Sequence, residues 1–87
     1  MTENEIIMLG FERQLEDTEA FFYYYSLEIV EGLSFITQAD DEVVNGEWEV
    51  EIFDTYPSIT FKDAETVRIL IEILNQNKDE YNIRDNN

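Results

Sequence analysis

Cysteine and histidine are both absent from the 87 residues. Their absence removes disulfides, the thiolate nucleophile, the usual zinc ligands and the commonest general base. Long apolar runs are missing too. No stretch approaches the roughly 20 residues of a membrane span, and Ile6 to Leu9, behind the acidic start Met1-Thr2-Glu3-Asn4-Glu5, is far shorter than the apolar region of a signal peptide. A reducing, cytoplasmic setting with no membrane association is expected. Basic residues are scarce, five Lys and Arg against 21 Asp and Glu, for a formal charge of −16. Such a surface repels nucleic acid and anionic membranes and attracts basic proteins over a distance, so no direct nucleic-acid binding is expected.

What remains is enough to fold. Hydrophobic residues make up 44% of the chain, with six Phe, five Tyr and one Trp, which sets it apart from disordered acidic sequences. The length suits one core. Thr2 and Glu5 have the spacing of a capping box, and Gly10 sits where a left-handed residue would end a helix over residues 3–9. A first strand is expected over Phe11 to Glu16, then a turn at Asp17-Thr18-Glu19. Residues 20–30, rich in aromatic and β-branched side chains, read as the longest strand. Its core face is expected to hold Phe21, Tyr23, Tyr25, Leu27 and Ile29, with Phe22 and Tyr24 opposite. Glu31-Gly32 and Asn45-Gly46 are hairpin turn signals, the second of type I′. Glu47 to Ile52 alternates in period two, placing Trp48, Val50 and Ile52 inward and the glutamates outward. Pro57 closes a turn before an edge strand in Ser58 to Phe61. Asp63 is a suitable N-cap for an amphipathic helix over residues 64–76, with Val67, Leu70, Ile71 and Leu74 on one stripe and Ile69 and Ile73 widening it. The fold class is therefore α+β: a short N-terminal helix, an antiparallel four- to five-stranded meander sheet, and a C-terminal amphipathic helix packed on one sheet face. Residues 1–77 form the domain and residues 78–87 are expected to be a flexible polar tail.

The chemistry-bearing patterns are few. Ser26, Ser34 and Ser58 have no base partner, and neither a phosphate-binding loop nor a nucleophile elbow occurs. A carboxylate pair for acid–base work would need a cleft that a domain of this size rarely provides. No enzymatic activity, cofactor or metal is expected. Asp40-Asp41-Glu42 is a run of hard oxygen donors but lacks calcium-loop spacing. A two-residue turn at Asn45-Gly46 would pair Val44 with Glu47, Glu42 with Glu49 and Asp40 with Glu51, gathering carboxylates on one sheet face as an anionic ladder. Asp40, Asp41, Glu42, Glu47, Glu49 and Glu51 are accordingly the candidate partner-binding residues. The blander reading of the same pattern is a solvated sheet face opposite a core face. For Phe22 and Tyr24, core filling is the expectation, with an exposed aromatic patch as the alternative.

In size, charge and missing catalytic residues the chain resembles the small acidic proteins with which phages disarm host enzymes: uracil-DNA glycosylase inhibitors, anti-restriction DNA mimics and anti-CRISPR proteins. The resemblance matches no motif and carries over no residue. It implies an inhibitor that binds a basic nucleic-acid-binding protein, such as a nuclease or CRISPR effector, in the host cytoplasm if phage-encoded. The alternative is a non-enzymatic interaction module or homodimer using an aromatic sheet face. Leu9-Gly10-Phe11, with Phe22 to Tyr25 and Gly46 to Ile52, also looks like small bacterial and phage proteins, a likeness that suggests a fold and no activity.

Overall fold

The structure, a computed structural model, describes residues 1–15 and 21–85, with side-chain surroundings through residue 76. The expected turn at Asp17-Thr18-Glu19 lies outside the described residues, as do Glu16 and Ala20. The described residues form helix α1 (Glu3–Met8), strands β1 (Glu12–Leu15), β2 (Tyr23–Val30) and β3 (Leu33–Thr37), a 3₁₀ turn (Asp40–Glu42), strands β4 (Val50–Ile52) and β5 (Thr60–Phe61), and helix α2 (Ala64–Asp85). The strands make one antiparallel sheet in the order β1-β2-β3-β4-β5, the expected meander in an α+β fold. Among the described residues no helix is long and apolar enough to cross a membrane.

Local chemistry explains most boundaries. The capping box of α1 is closed: Glu5 N donates to Thr2 Oγ1 (3.1 Å) and Thr2 N to Glu5 Oε1 (2.8 Å). Gly10 ends the helix at φ +98°, a conformation that a side chain would strain, and delivers Phe11 into the core. Strand β2 begins later than expected. Phe21, at φ +61°, leaves the extended geometry and points outward, 84% exposed, so the core face of β2 starts at Tyr23. Regular β4 pairing likewise starts at Val50 rather than Glu47. The preceding residues are held by other groups: Met1 and Trp48 exchange two main-chain hydrogen bonds (2.7 and 3.1 Å), and Glu49 N donates to Gln38 Oε1 (2.9 Å).

Helix α2 starts as expected. Asp63 Oδ2 accepts from the Thr66 amide and hydroxyl (3.1 and 2.9 Å), bonds that hold the Asp63 carboxyl below its ordinary range. The helix does not stop at residue 76; the expected tail from Lys78 continues it to Asp85. The buried stripe is narrower than the hydrophobic pattern implied. Val67 is fully buried and Leu70, Ile71 and Leu74 pack against the core, whereas Ile69 and Ile73 remain 42% and 48% exposed.

The core lies on one face of the sheet. Cross-strand rows Leu27-Phe35-Ile52 and Thr37-Val50-Phe61 run beneath α2. Trp48 meets the rings of Tyr23 and Tyr25 at 6.2 and 5.5 Å between centroids. Glu3 ties α1 to β2 by accepting from both phenols, Tyr23 at 2.9 Å and Tyr25 at 2.7 Å. Burial, then the Glu3 bond and charge, push the Tyr25 phenol up to about 12, and the Glu3 bond raises that of Tyr23. A raised folded-state value favours the neutral ring. Its stabilisation is therefore complete below the ordinary 10.0 and is lost as pH rises through about 12. In an ultraviolet titration the ionisation of Tyr25 should lie well above the ordinary phenol range and accompany alkaline unfolding, and Glu3→Ala should bring both transitions to lower pH. Unchanged transitions in the variant would remove Glu3 from that role.

Candidate functional site

Because Ile6 of α1 and Val67, Leu70, Ile71 and Leu74 of α2 pack with Val50, no described helix covers the opposite face of the sheet. Strand pairing sets its contents, since residues directly opposite in an antiparallel ladder share a face. One row crosses all five strands: Glu12, Ser26, Ile36, Glu51 and Thr60. Gln14 with Tyr24, and Glu28 with Ser34, flank it on either side. Glu49 and Phe53, two positions before and after Glu51, extend the same face along the β4 segment.

The centre of this face is concave. The main-chain ladder between β2 and β3 runs only as far as Ser26 and Ile36. Beyond it, side chains take over as acceptors: Thr37 Oγ1 for Tyr25 N (3.0 Å) and Asp40 Oδ1 for Tyr23 N (3.0 Å). The strands part there, and an open depression of about 470 Å³ forms. Tyr24, Ile36 and Phe53 give it apolar surface, and Glu42, Glu49 and Glu51 stand around it. Gln38 braces the β4 side, accepting from Glu49 N and donating to Glu47 O (3.4 Å). Lys62 Nζ reaches Glu49 at 3.7 Å from an exposed position, a loose pair of little energetic weight.

The structure brings together half of the candidate residues. Glu42, Glu49 and Glu51 surround the depression. Asp40 instead holds the start of β2, Asp41 is exposed on the 3₁₀ turn, and Glu47 pairs with the Met1 ammonium (3.3 Å), which also donates to Trp48 O and Lys62 O. The anionic ladder of residues 40–44 against 47–51 does not form. The Asn45-Gly46 turn is present, with φ of +56° and +71°, and pairs Val44 with Glu47, but the pairing ends there. Glu51 is opposite Ile36 and Val50 opposite Thr37. A ladder of acids would set like charges directly across from one another. Strand β3 offers β4 neutral partners, and residues 40–42 close into a 3₁₀ turn in which Ala39 N donates to Glu42 Oε1 (3.1 Å).

Two expectations about β2 also change. Tyr24 does not fill the core but lines the open depression, and Phe22, 39% exposed, precedes the strand. Tyr24 of the expected aromatic face and Glu42, Glu49 and Glu51 of the expected acidic one therefore share one surface. Glu12 and Glu28 join it as well. Glu28 was accessible from the alternation around Tyr25, Leu27 and Ile29, whereas Glu12 depends on the β1–β2 register.

Among the described residues, no group of three or more carboxylates converges closely enough to hold a metal ion. Carboxylates about a depression partly lined by apolar side chains, with the charge of −16 behind them, make a surface for cationic groups that also carry apolar stems. Compared with known proteins, the chain matches no family model, no curated protein and no solved structure.

Proposed function

We propose that the chain is a cytoplasmic inhibitor protein, a binder and not a catalyst, that lays its open sheet face on the basic nucleic-acid-binding surface of a nuclease or CRISPR effector. The mechanism is competition for the surface that the enzyme's nucleic-acid substrate would occupy. The observation that carries this reading is the face, covered by no described helix, on which strands hold Glu12, Glu28 and Glu51, with Glu49 fixed beside β4 by Gln38 and Glu42 at the edge of the depression. A rigid sheet presents charge without the ordering cost of a flexible acidic tail, and the net charge of −16 steers encounter with a basic partner.

Pairing through the same face with a second copy would oppose like carboxylates, so the face favours a partner of opposite charge. The array is more open than a phosphate track: Glu49 and Glu51 stand about 6.8 Å apart along the strand, against roughly 3.4 Å per phosphate along one strand of a duplex. It suits spaced basic side chains.

The test is a panel of basic DNA- and RNA-cleaving enzymes, CRISPR effectors included, assayed with the purified chain at low and moderate salt. Inhibition at near-stoichiometric amounts, weakening steeply as salt rises, is expected for at least one enzyme. No inhibition of any member at low salt would contradict the proposal.

A further inference from the structure

We infer that the depression on the open sheet face selects arginine over lysine, taking an arginine-bearing segment of the basic partner; this rests on the inhibitor reading and specifies its contact. An arginine side chain joins a three-carbon stem to a planar, weakly hydrated fork of five donors, whereas lysine ends in a compact and strongly hydrated point charge. The depression offers both halves of an arginine site. Tyr24, Ile36 and Phe53 supply a ring face and apolar surface for the stem, and Glu42, Glu49 and Glu51 supply carboxylates for the fork.

The chain's own cations behave accordingly. Arg13 places its guanidinium carbon 4.1 Å from the ring centre of Tyr23, the tyrosine next to Tyr24 in sequence and on the other face of β2. Arg68 is forked between Glu65 and Glu72, a pairing that raises its own value and lowers that of Glu65. Lys62, beside the depression, makes only the loose contact with Glu49, its side chain 80% exposed. At the depression an incoming arginine would meet groups of the same kinds, a tyrosine ring at Tyr24 and carboxylates at Glu42, Glu49 and Glu51.

The experiment is a titration of the isotope-labelled full chain with two peptides of equal length and charge, one with arginine and one with lysine at every basic position, followed by nuclear magnetic resonance. The arginine peptide should bind about threefold or more tightly. It should shift the resonances of Tyr24, Ile36, Gln38, Glu49, Glu51 and Phe53. In Tyr24→Ala/Phe53→Ala, with folding verified from the dispersion of the spectrum, the preference should fall to about one while weaker, salt-dependent binding persists. If that variant does not fold, Tyr24→Leu, which keeps the apolar contact and removes the ring face, should reduce the preference. Equal affinity of the two peptides at this face would overturn the arginine inference and leave the inhibitor reading standing. Peptide-induced shifts confined to α2 or the loops, or none at all, would overturn both.

Discussion

Reversing Glu42, Glu49 and Glu51 together to lysine is expected to weaken inhibition of a sensitive enzyme at least about a hundredfold, roughly 2.7 kcal/mol, without unfolding the chain. The size follows from replacing three attractive contacts by like-charge contacts, each costing a kcal/mol or more at a partly desolvated interface. The fold should tolerate the change because none of the three carboxylates anchors the core. Glu42 is exposed and bonds to Ala39 N, Glu49 has the loose Lys62 contact, and Glu51 shares its row with Ile36 and Thr60. Lowering a net charge of −16 also relieves self-repulsion. The melting temperature of the variant should therefore hold within a few degrees or rise. A variant that keeps its fold and still inhibits fully would dismiss this face as the contact surface.

The second large effect is on stability and separates the two faces of the sheet within two adjacent residues. Phe35→Ala should cost about 3–5 kcal/mol, a large share of the roughly 5–15 kcal/mol that stabilises a domain. Phe35 is 1% exposed and lies in the row between Leu27 and Ile52, so its removal leaves a cavity bounded by strands that cannot close over it. At roughly 4–8 °C per kcal/mol, the melting temperature should fall by roughly 12–40 °C. Ile36→Ala, one residue on and facing the depression, should cost less than half as much because its side chain is already partly in water. Thermal denaturation followed by circular dichroism measures both. Equal losses would contradict the assignment of faces.

The same alternation explains how much of the molecule the sequence discloses. Signals confined to a few residues are legible: the Thr2 capping box, the left-handed Gly10, the Asn45-Gly46 turn and the Asp63 cap all stand where the chain places them. The period-two pattern also assigns faces correctly, with Trp48 and Val50 buried and Glu49 and Glu51 opposite. The identity of each strand's neighbour is not legible, because pairing between β3 and β4 is settled by competition among distant segments. A hairpin turn specifies only its first pair. Here the next partners of β4 come from Phe35, Ile36 and Thr37 rather than from Asp40 to Val44, and that substitution turned an expected ladder of acids into a depression flanked by three of them.

Phe21 and α2 show the same limit from other directions. Nothing in an aromatic run reveals that one member adopts a left-handed conformation, and a hydrophobic stripe does not say how wide a surface will receive it. The sheet beneath α2 accepts Val67, Leu70, Ile71 and Leu74 and leaves Ile69 and Ile73 outside. The site itself was half legible. Acid was visible at Glu49 and Glu51 from alternation, but Tyr24, Ile36 and Phe53 became part of it only when three strands were set side by side.

The central claim is that an acidic sheet face stands in for nucleic acid on a basic partner, and competition measures this most directly. An enzyme inhibited by the chain would be immobilised, loaded with the labelled chain at low salt, and washed with increasing concentrations of a duplex or single strand that the enzyme binds but does not cleave. Mutual exclusion is expected, with the nucleic acid displacing the chain completely and in proportion to its own affinity. A stable ternary complex, with chain and nucleic acid bound together at saturation, would contradict it.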